Sequence, residues 1–252
     1  MTNKEALHIY LLQLADNALI LGHRLSEWCG HGPILEQDMA MTNIALDLVG
    51  QARSLFQYAA EIEGEGKTED DLAYLRTVTE YGNVLLVEQP NEDFAYTVVR
   101  QFLYDIYSFN FYTQLKKSSD KQLAAIAEKS LKEVTYHVRW SSEWMIRLGD
   151  GTEISHQKVQ KAVNDLWPYS GELLQMSKAE EMLLADGIAV DLSTLKKDCE
   201  EKINNVLAEA TIEQPENVFM QNGGKEGRHS EHFGFILSEL QYLQRAYPGQ
   251  EW

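Results

Sequence analysis

The chain has 252 residues, with 22 Lys and Arg against 39 Asp and Glu, for a formal net charge of −17. Apolar residues at 44% and charged residues at 24% exclude disordered and collagen-like classes, and the surplus negative charge makes a nucleic-acid phosphate backbone an unfavourable partner. Two cysteines, Cys29 and Cys199, supply no disulfide framework, and neither a signal-peptide core nor an uncharged apolar run of membrane-spanning length is seen, so the expectation is a soluble cytoplasmic protein with no membrane contact.

Five prolines, at 33, 90, 168, 215 and 248, partition the chain, because proline is costly inside a helix. Apolar residues recur at three and four, as in Leu7, Leu11, Leu14, Ala18, Leu21 and Leu25, the period of an amphipathic helix. The pattern predicts a first helix over 4–29, ended by Gly30, Gly32 and Pro33, and a second over 34–63, stopped at Gly64 to Gly66. A short helix over 69–78 leads through Gly82 to Pro90. The third long helix follows Asn91 as N-cap and runs to Leu115; Ser118 and Ser119 open the fourth, which ends near Gly149. Four helices of this length, each ~40 Å long, predict a bundle. Further helices are expected over 152–167, 177–185, 193–210 and 231–246, with a loop over 221–227. With no linker and no repeat, the chain reads as one all-α domain, 1–252, with a core bundle at about 4–149 and additional C-terminal helices at about 152–246.

Four polar residues stand out, one on each long helix: Glu27, Asp47 within Ile44 to Val49, Asp105 within Phe102 to Tyr107, and His137. That distribution matches part of a di-iron carboxylate bundle, in which two helices each give one carboxylate and two each give Glu-x-x-His. The i, i+3 spacing puts carboxylate and imidazole on one face, within reach of one metal. The second helix reads Asp47-Leu48-Val49-Gly50, with glycine at the histidine position. The fourth reads Val134-Thr135-Tyr136-His137, with valine at the carboxylate position. Four of six ligand positions are filled, so the favoured reading is a metal-free polar network of Glu27, Asp47, Asp105 and His137 rather than a metal site. Buried carboxylates without a metal need cations or protons. His137, His23, Arg53, Arg100, Lys132 and Arg139 are the candidates.

The chain resembles the C subunits of the bacterial ring 1,2-phenylacetyl-CoA epoxidase over essentially its whole length. The segments that carry the resemblance are Arg24 to His31, Asn43 to Arg53, Leu85 to Pro90, Lys132-Glu133 with Tyr136-His137, Gly223 to His232, Tyr242 to Arg245, and Pro248 to Gln250 with Trp252. The resemblance implies a ferritin-like helical fold and a non-catalytic structural subunit of a multicomponent monooxygenase in phenylacetate degradation. Such a chain pairs with and stabilises a di-iron catalytic A subunit and helps form a groove for the CoA thioester, phenylacetyl-CoA. It binds no cofactor itself. The resemblance also implies a small B subunit and a reductase that carries FAD and an iron–sulfur centre and uses NADPH. The segment Glu80-Tyr81-Gly82-Asn83 corresponds to one that lies near the bound thioester in the family. The alternative is an independent ferritin-like metalloenzyme with a degenerate metal site.

Three further constellations have plainer readings. His229 and His232 with Glu231 read as a helix start capped by Ser230 rather than as metal ligands. Gly223 to Gly227 with Lys225 and Arg228 reads as capping or interface structure, since no strand or Walker pattern precedes it. Phe109, Phe111, Tyr112, Trp140 and Trp144 read as core or as a surface meeting a partner.

Overall fold

The computed structural model describes residues 1–250, and Trp252 lies outside them. Ten α-helices run in chain order and no strand occurs among the described residues: α1 Asn3–Ser26, α2 Leu35–Glu63, α3 Glu69–Tyr74, α4 Phe94–Leu115, α5 Lys121–Gly149, α6 Glu153–Leu166, α7 Lys178–Leu184, α8 Lys196–Glu209, α9 Glu231–Leu240 and α10 Tyr242–Ala246. None of them is long and apolar enough to cross a membrane. The fold is all-α and ferritin-like, as the helix periodicity predicts.

Contacts divide the chain into two compact units. Unit 1 comprises Met1–Gln89, Ser177–Ala185 and Gly223–Trp252; unit 2 comprises Pro90–Met176 and Asp186–Asn222. The division does not fall between the anticipated core at 4–149 and the C-terminal helices at 152–246. Instead each unit is built on one long helical hairpin, α1 with α2 or α4 with α5, and later helices complete it.

The hairpin of unit 1 begins with a capping box. The Thr2 hydroxyl accepts from the Glu5 N–H while the Glu5 carboxylate accepts from the Thr2 N–H. Leu11, Ile20, Leu21 and Leu25 of α1 and Met41, Ile44 and Leu55 of α2 are almost fully buried, each worth about 1.5–3 kcal/mol of apolar burial. In unit 2, α4 is apolar nearly all round, with Val98, Val99, Phe102, Ile106 and Phe111 buried. Of the aromatics that the sequence marks as core or interface, Phe111, Tyr112 and Trp140 are buried, while Phe109 and Trp144 are half-buried. Phe94 meets Trp140 and Trp144 edge-on, which ties the start of α4 to α5.

Several helix ends differ from expectation because a neighbouring side chain caps better. Asp93, not Asn91, caps α4, accepting from the Tyr96 N–H at 3.0 Å. Asp120 caps α5, accepting from the Leu123 N–H. The hydroxyls of Ser118 and Ser119 instead donate to the carbonyls of Ile188 and Asp186. The helix expected over 231–246 breaks at Gln241, whose side-chain amide donates to the Arg76 carbonyl.

Candidate functional site

The six expected metal positions fall in different units: Glu27, Asp47 and Gly50 in unit 1, and Asp105, Val134 and His137 in unit 2. In unit 1, Glu27 does not face inward. It is the exposed C-cap of α1, and its carboxylate accepts from Arg24 at 2.9 Å. Asp47 is half-buried on α2, and a Cβ built on Gly50 would meet no atom within 4 Å, so the histidine position is open space.

In unit 2, Asp105 and His137 are both fully buried. The Ser141 hydroxyl donates to Asp105 Oδ2 at 2.8 Å, and the Gln101 amide donates to Oδ1 at 2.6 Å. Burial pushes the Asp105 carboxyl up to about 7, against the opposing pull of His137 and of the Ser141 and Gln101 hydrogen bonds. Val134 is buried, so an apolar side chain occupies the lost carboxylate position.

This donor set does not fit a di-iron centre. One expected carboxylate is on the surface, one histidine position is bare backbone, and one carboxylate position is packed hydrocarbon. Among the described residues, no three His, Cys, Asp or Glu side chains gather into a group able to hold a metal ion.

Most of the cations considered as partners for these carboxylates are engaged elsewhere. Arg53 donates to Glu69, Arg139 to Glu143, and Arg100 to the Asn91 side chain. Burial lowers the affinity of His23 for a proton, which disfavours its cationic form, and Lys132 is half-buried on α5.

The segment 80–83 is a buried link. Tyr81, Gly82 and Asn83 are buried, and only Glu80 is exposed, closing a capping box on Thr77. Asp16 on α1 accepts from the Gly82 N–H, and Asn17 accepts from the Val84 N–H at 2.8 Å. Arg76 lies 4.0 Å over the Tyr81 ring and forms a bidentate pair with Asp16. Burial opposes the charge on Arg76, and Asp16 beside it more than restores it.

The Gly223 to Gly227 loop packs on this link. A Cβ on Gly224 would lie 2.2 Å from the Asn83 carbonyl oxygen, and one on Gly227 would lie 2.5 Å from that of Thr79. Lys225 donates to the buried Glu180 at 2.9 Å and Arg228 donates to Glu226, so both cations have protein partners. Gln13 ties the cluster to α1, its amide donating to the Lys225 carbonyl while its oxygen accepts from Ser177.

Sequence reading misses the centre of this region, Glu88. It is fully buried and faces His229 Nδ1 at 3.3 Å, while the N–H and hydroxyl of Ser230 both donate to its other oxygen. His229 Nε2 lies 3.1 Å from the Tyr81 carbonyl, which can only accept, so Nε2 carries hydrogen. One further proton is therefore shared between Nδ1 and Glu88. Burial raises the Glu88 carboxyl, and His229 and Ser230 work against that rise. The imidazole stacks on Phe233 with centroids 4.1 Å apart. His229 is thus a partner for a carboxylate. Ser230 occupies the N-cap of α9 but spends its hydroxyl on Glu88 rather than on a helix N–H. A signal exists, since Glu88 lies in Leu85-Leu86-Val87-Glu88, the same apolar setting that singles out Asp47 and Asp105.

An all-α chain with paired long hairpins and an incomplete set of ferritin-type ligands defines a class, the ferritin-like relatives of di-iron proteins. The family profile described as "Phenylacetic acid catabolic protein" matches residues 1–252, and the chain belongs to that family. It is 49% identical over 243 residues to the C subunit of the 1,2-phenylacetyl-CoA epoxidase of Escherichia coli strain K12, covering 96% of this chain and 98% of that one.

Proposed function

We propose that this chain is the non-catalytic C-type structural subunit of a phenylacetyl-CoA 1,2-epoxidase. In this reading it pairs with and stabilises a di-iron A subunit in the cytoplasm and helps form the groove for the CoA thioester. The observation that carries it is the 49% identity spread over 96% of the chain to a protein bearing that name. The bare position at Gly50 and the hydrocarbon at Val134 support assigning oxygen chemistry to another chain. Iron then resides in the A subunit. NADPH, FAD and an iron–sulfur centre belong to the reductase, and a small B subunit completes the complex.

The residues of this chain supply a rigid frame. The buried link 81–89 is held from one side by Asp16, Asn17 and Arg24 and from the other by His229 and Ser230. A groove wall at 80–83 would be formed by backbone held in this way and by the exposed Glu80, the other three residues being buried. With a net charge of −17 the chain does not attract the CoA phosphates, so their cationic partners are assigned to the A subunit.

Co-expression with the A subunit tests the reading. The A subunit should become soluble and epoxidise phenylacetyl-CoA, with the B subunit and reductase supplied, only when this chain is present. Equal activity without it would contradict the proposal. Stoichiometric iron with O₂-dependent turnover in the purified lone chain would favour the independent metalloenzyme instead.

A further inference from the structure

Unit 2 contains a cavity of about 430 Å³ that neither Asp105 nor His137 lines. Its walls come from four places in the sequence. Leu103 and Tyr107 stand one turn apart on α4, and Cys199 and Ile203 one turn apart on α8. Trp167 and Leu173 come from the 3₁₀ turns after α6. The last wall is Met220, on the irregular segment 213–222.

That segment is held in place. The Gln221 N–H donates to the Pro168 carbonyl at 2.7 Å, and Met220 sits so close to Gly171 that a Cβ there would lie 2.9 Å from its Cγ. Glycine at 171 therefore lets the methionine seat against the backbone and close one side of the cavity.

The volume lies within the ~300–1,000 Å³ span of small-molecule pockets. The walls offer water few hydrogen-bonding partners, whereas an apolar body would exchange them for close contacts. Two aromatic rings and two sulfur atoms favour an aromatic body, through ring–ring and sulfur–ring contacts. The Cys199 thiol is raised to about 11, chiefly by burial, so it acts as wall rather than as nucleophile.

The polar groups are on the rim. Lys196, Glu200, Asn204 and Gln214 line it and are exposed. Lys196 and Glu200 pair with each other at 3.8 Å, leaving no net charge, and two amides remain to donate or accept. The whole-chain charge of −17 disfavours an anion further.

We propose that this cavity is a binding site for a neutral, single-ring aromatic molecule with one hydrogen-bonding head. The ring lies among Leu103, Tyr107, Trp167 and Met220, and the head meets the amides of Asn204 and Gln214. The site is separate from any thioester groove and does not depend on the proposed subunit role.

Calorimetric titration of the full chain with benzyl alcohol, benzamide, benzoate and cyclohexylmethanol tests this. Benzyl alcohol and benzamide should bind saturably with Kd on the order of 0.1–10 mM, and benzoate and cyclohexylmethanol at least about tenfold more weakly. Ile203→Trp, which fills the cavity from α8, should abolish binding. Soaking a crystal with 4-iodobenzyl alcohol and locating iodine by anomalous scattering reads the site independently of whether that variant folds. Iodine in the cavity, together with saturable binding in solution, supports the proposal. No saturation, benzoate binding as tight as benzamide, or iodine located elsewhere overturns it.

Discussion

Three buried carboxylates of unit 1 each meet a cationic or proton-sharing side chain: Asp16 meets Arg76, Glu88 meets His229, and Glu180 meets Lys225. Asp105 of unit 2 is as deeply buried, but its hydrogen bonds come from neutral groups, Gln101 and Ser141. The consequence is electrostatic. Pairing lets a carboxylate stay ionised in the interior, whereas Asp105 is driven up to about 7 by burial. The first kind of carboxylate is there for structure: its partners tie the non-helical link 81–89 and the Gly223 to Gly227 loop to α1 and α7. The second sits where a di-iron relative carries a ligand, and it keeps the acid without the metal charge that would hold it ionised.

The largest expected effect separates the two directly. Arg76→Met strands the Asp16 carboxylate in the core and should cost about 3–5 kcal/mol of stability in urea unfolding. A cost under about 1 kcal/mol would mean that water reaches the pair and the contrast with unit 2 is lost.

Next comes Asp105, with the opposite sign. Its folded pKa of about 7 lies above the ordinary carboxylate value, so between about pH 4 and 7 the folded state holds the proton more tightly than the unfolded chain. Its contribution to stability is therefore fullest below about pH 4, declines as pH rises to about 7, and is flat above. Asp105→Asn should remove this slope and stabilise the protein at pH 8 by about 2–4 kcal/mol. Denaturation midpoints between pH 4 and 8 check it, and an unchanged slope would contradict the assignment.

His229→Ala removes the Glu88 partner and the Phe233 stacking contact. It should cost about 2–3 kcal/mol, with early hydrogen exchange in the 81–89 link. The smallest effect is that of Ser141→Ala. It should cost about 1 kcal/mol and, by removing a hydrogen bond to the charged form, move the Asp105 titration to higher pH.

Much of this is legible in the sequence because helices announce themselves locally. The prolines and the three–four periodicity locate all four long helices, and Asp105 and His137 stand out as polar residues on apolar faces that do turn inward. Glu27 misleads because it lies at a helix terminus, where one residue of fraying turns a side chain to solvent. Periodicity says nothing about that. The ion pairs of unit 1 join residues 60, 141 and 45 positions apart. No local pattern links Asp16 to Arg76 or Glu88 to His229. The Gly224 and Gly227 requirements likewise come from the carbonyls of Asn83 and Thr79, which only the fold brings near.

The central claim is that this chain works as the metal-free partner of a di-iron subunit. Native mass spectrometry of the co-expressed A subunit and this chain tests it most directly, since intact mass reads subunit composition and bound iron together. The account predicts a heteromer containing both chains, with iron retained by the A subunit and absent from this chain when the two are dissociated. Free chains of each kind with no complex, or iron leaving with this chain, would contradict it.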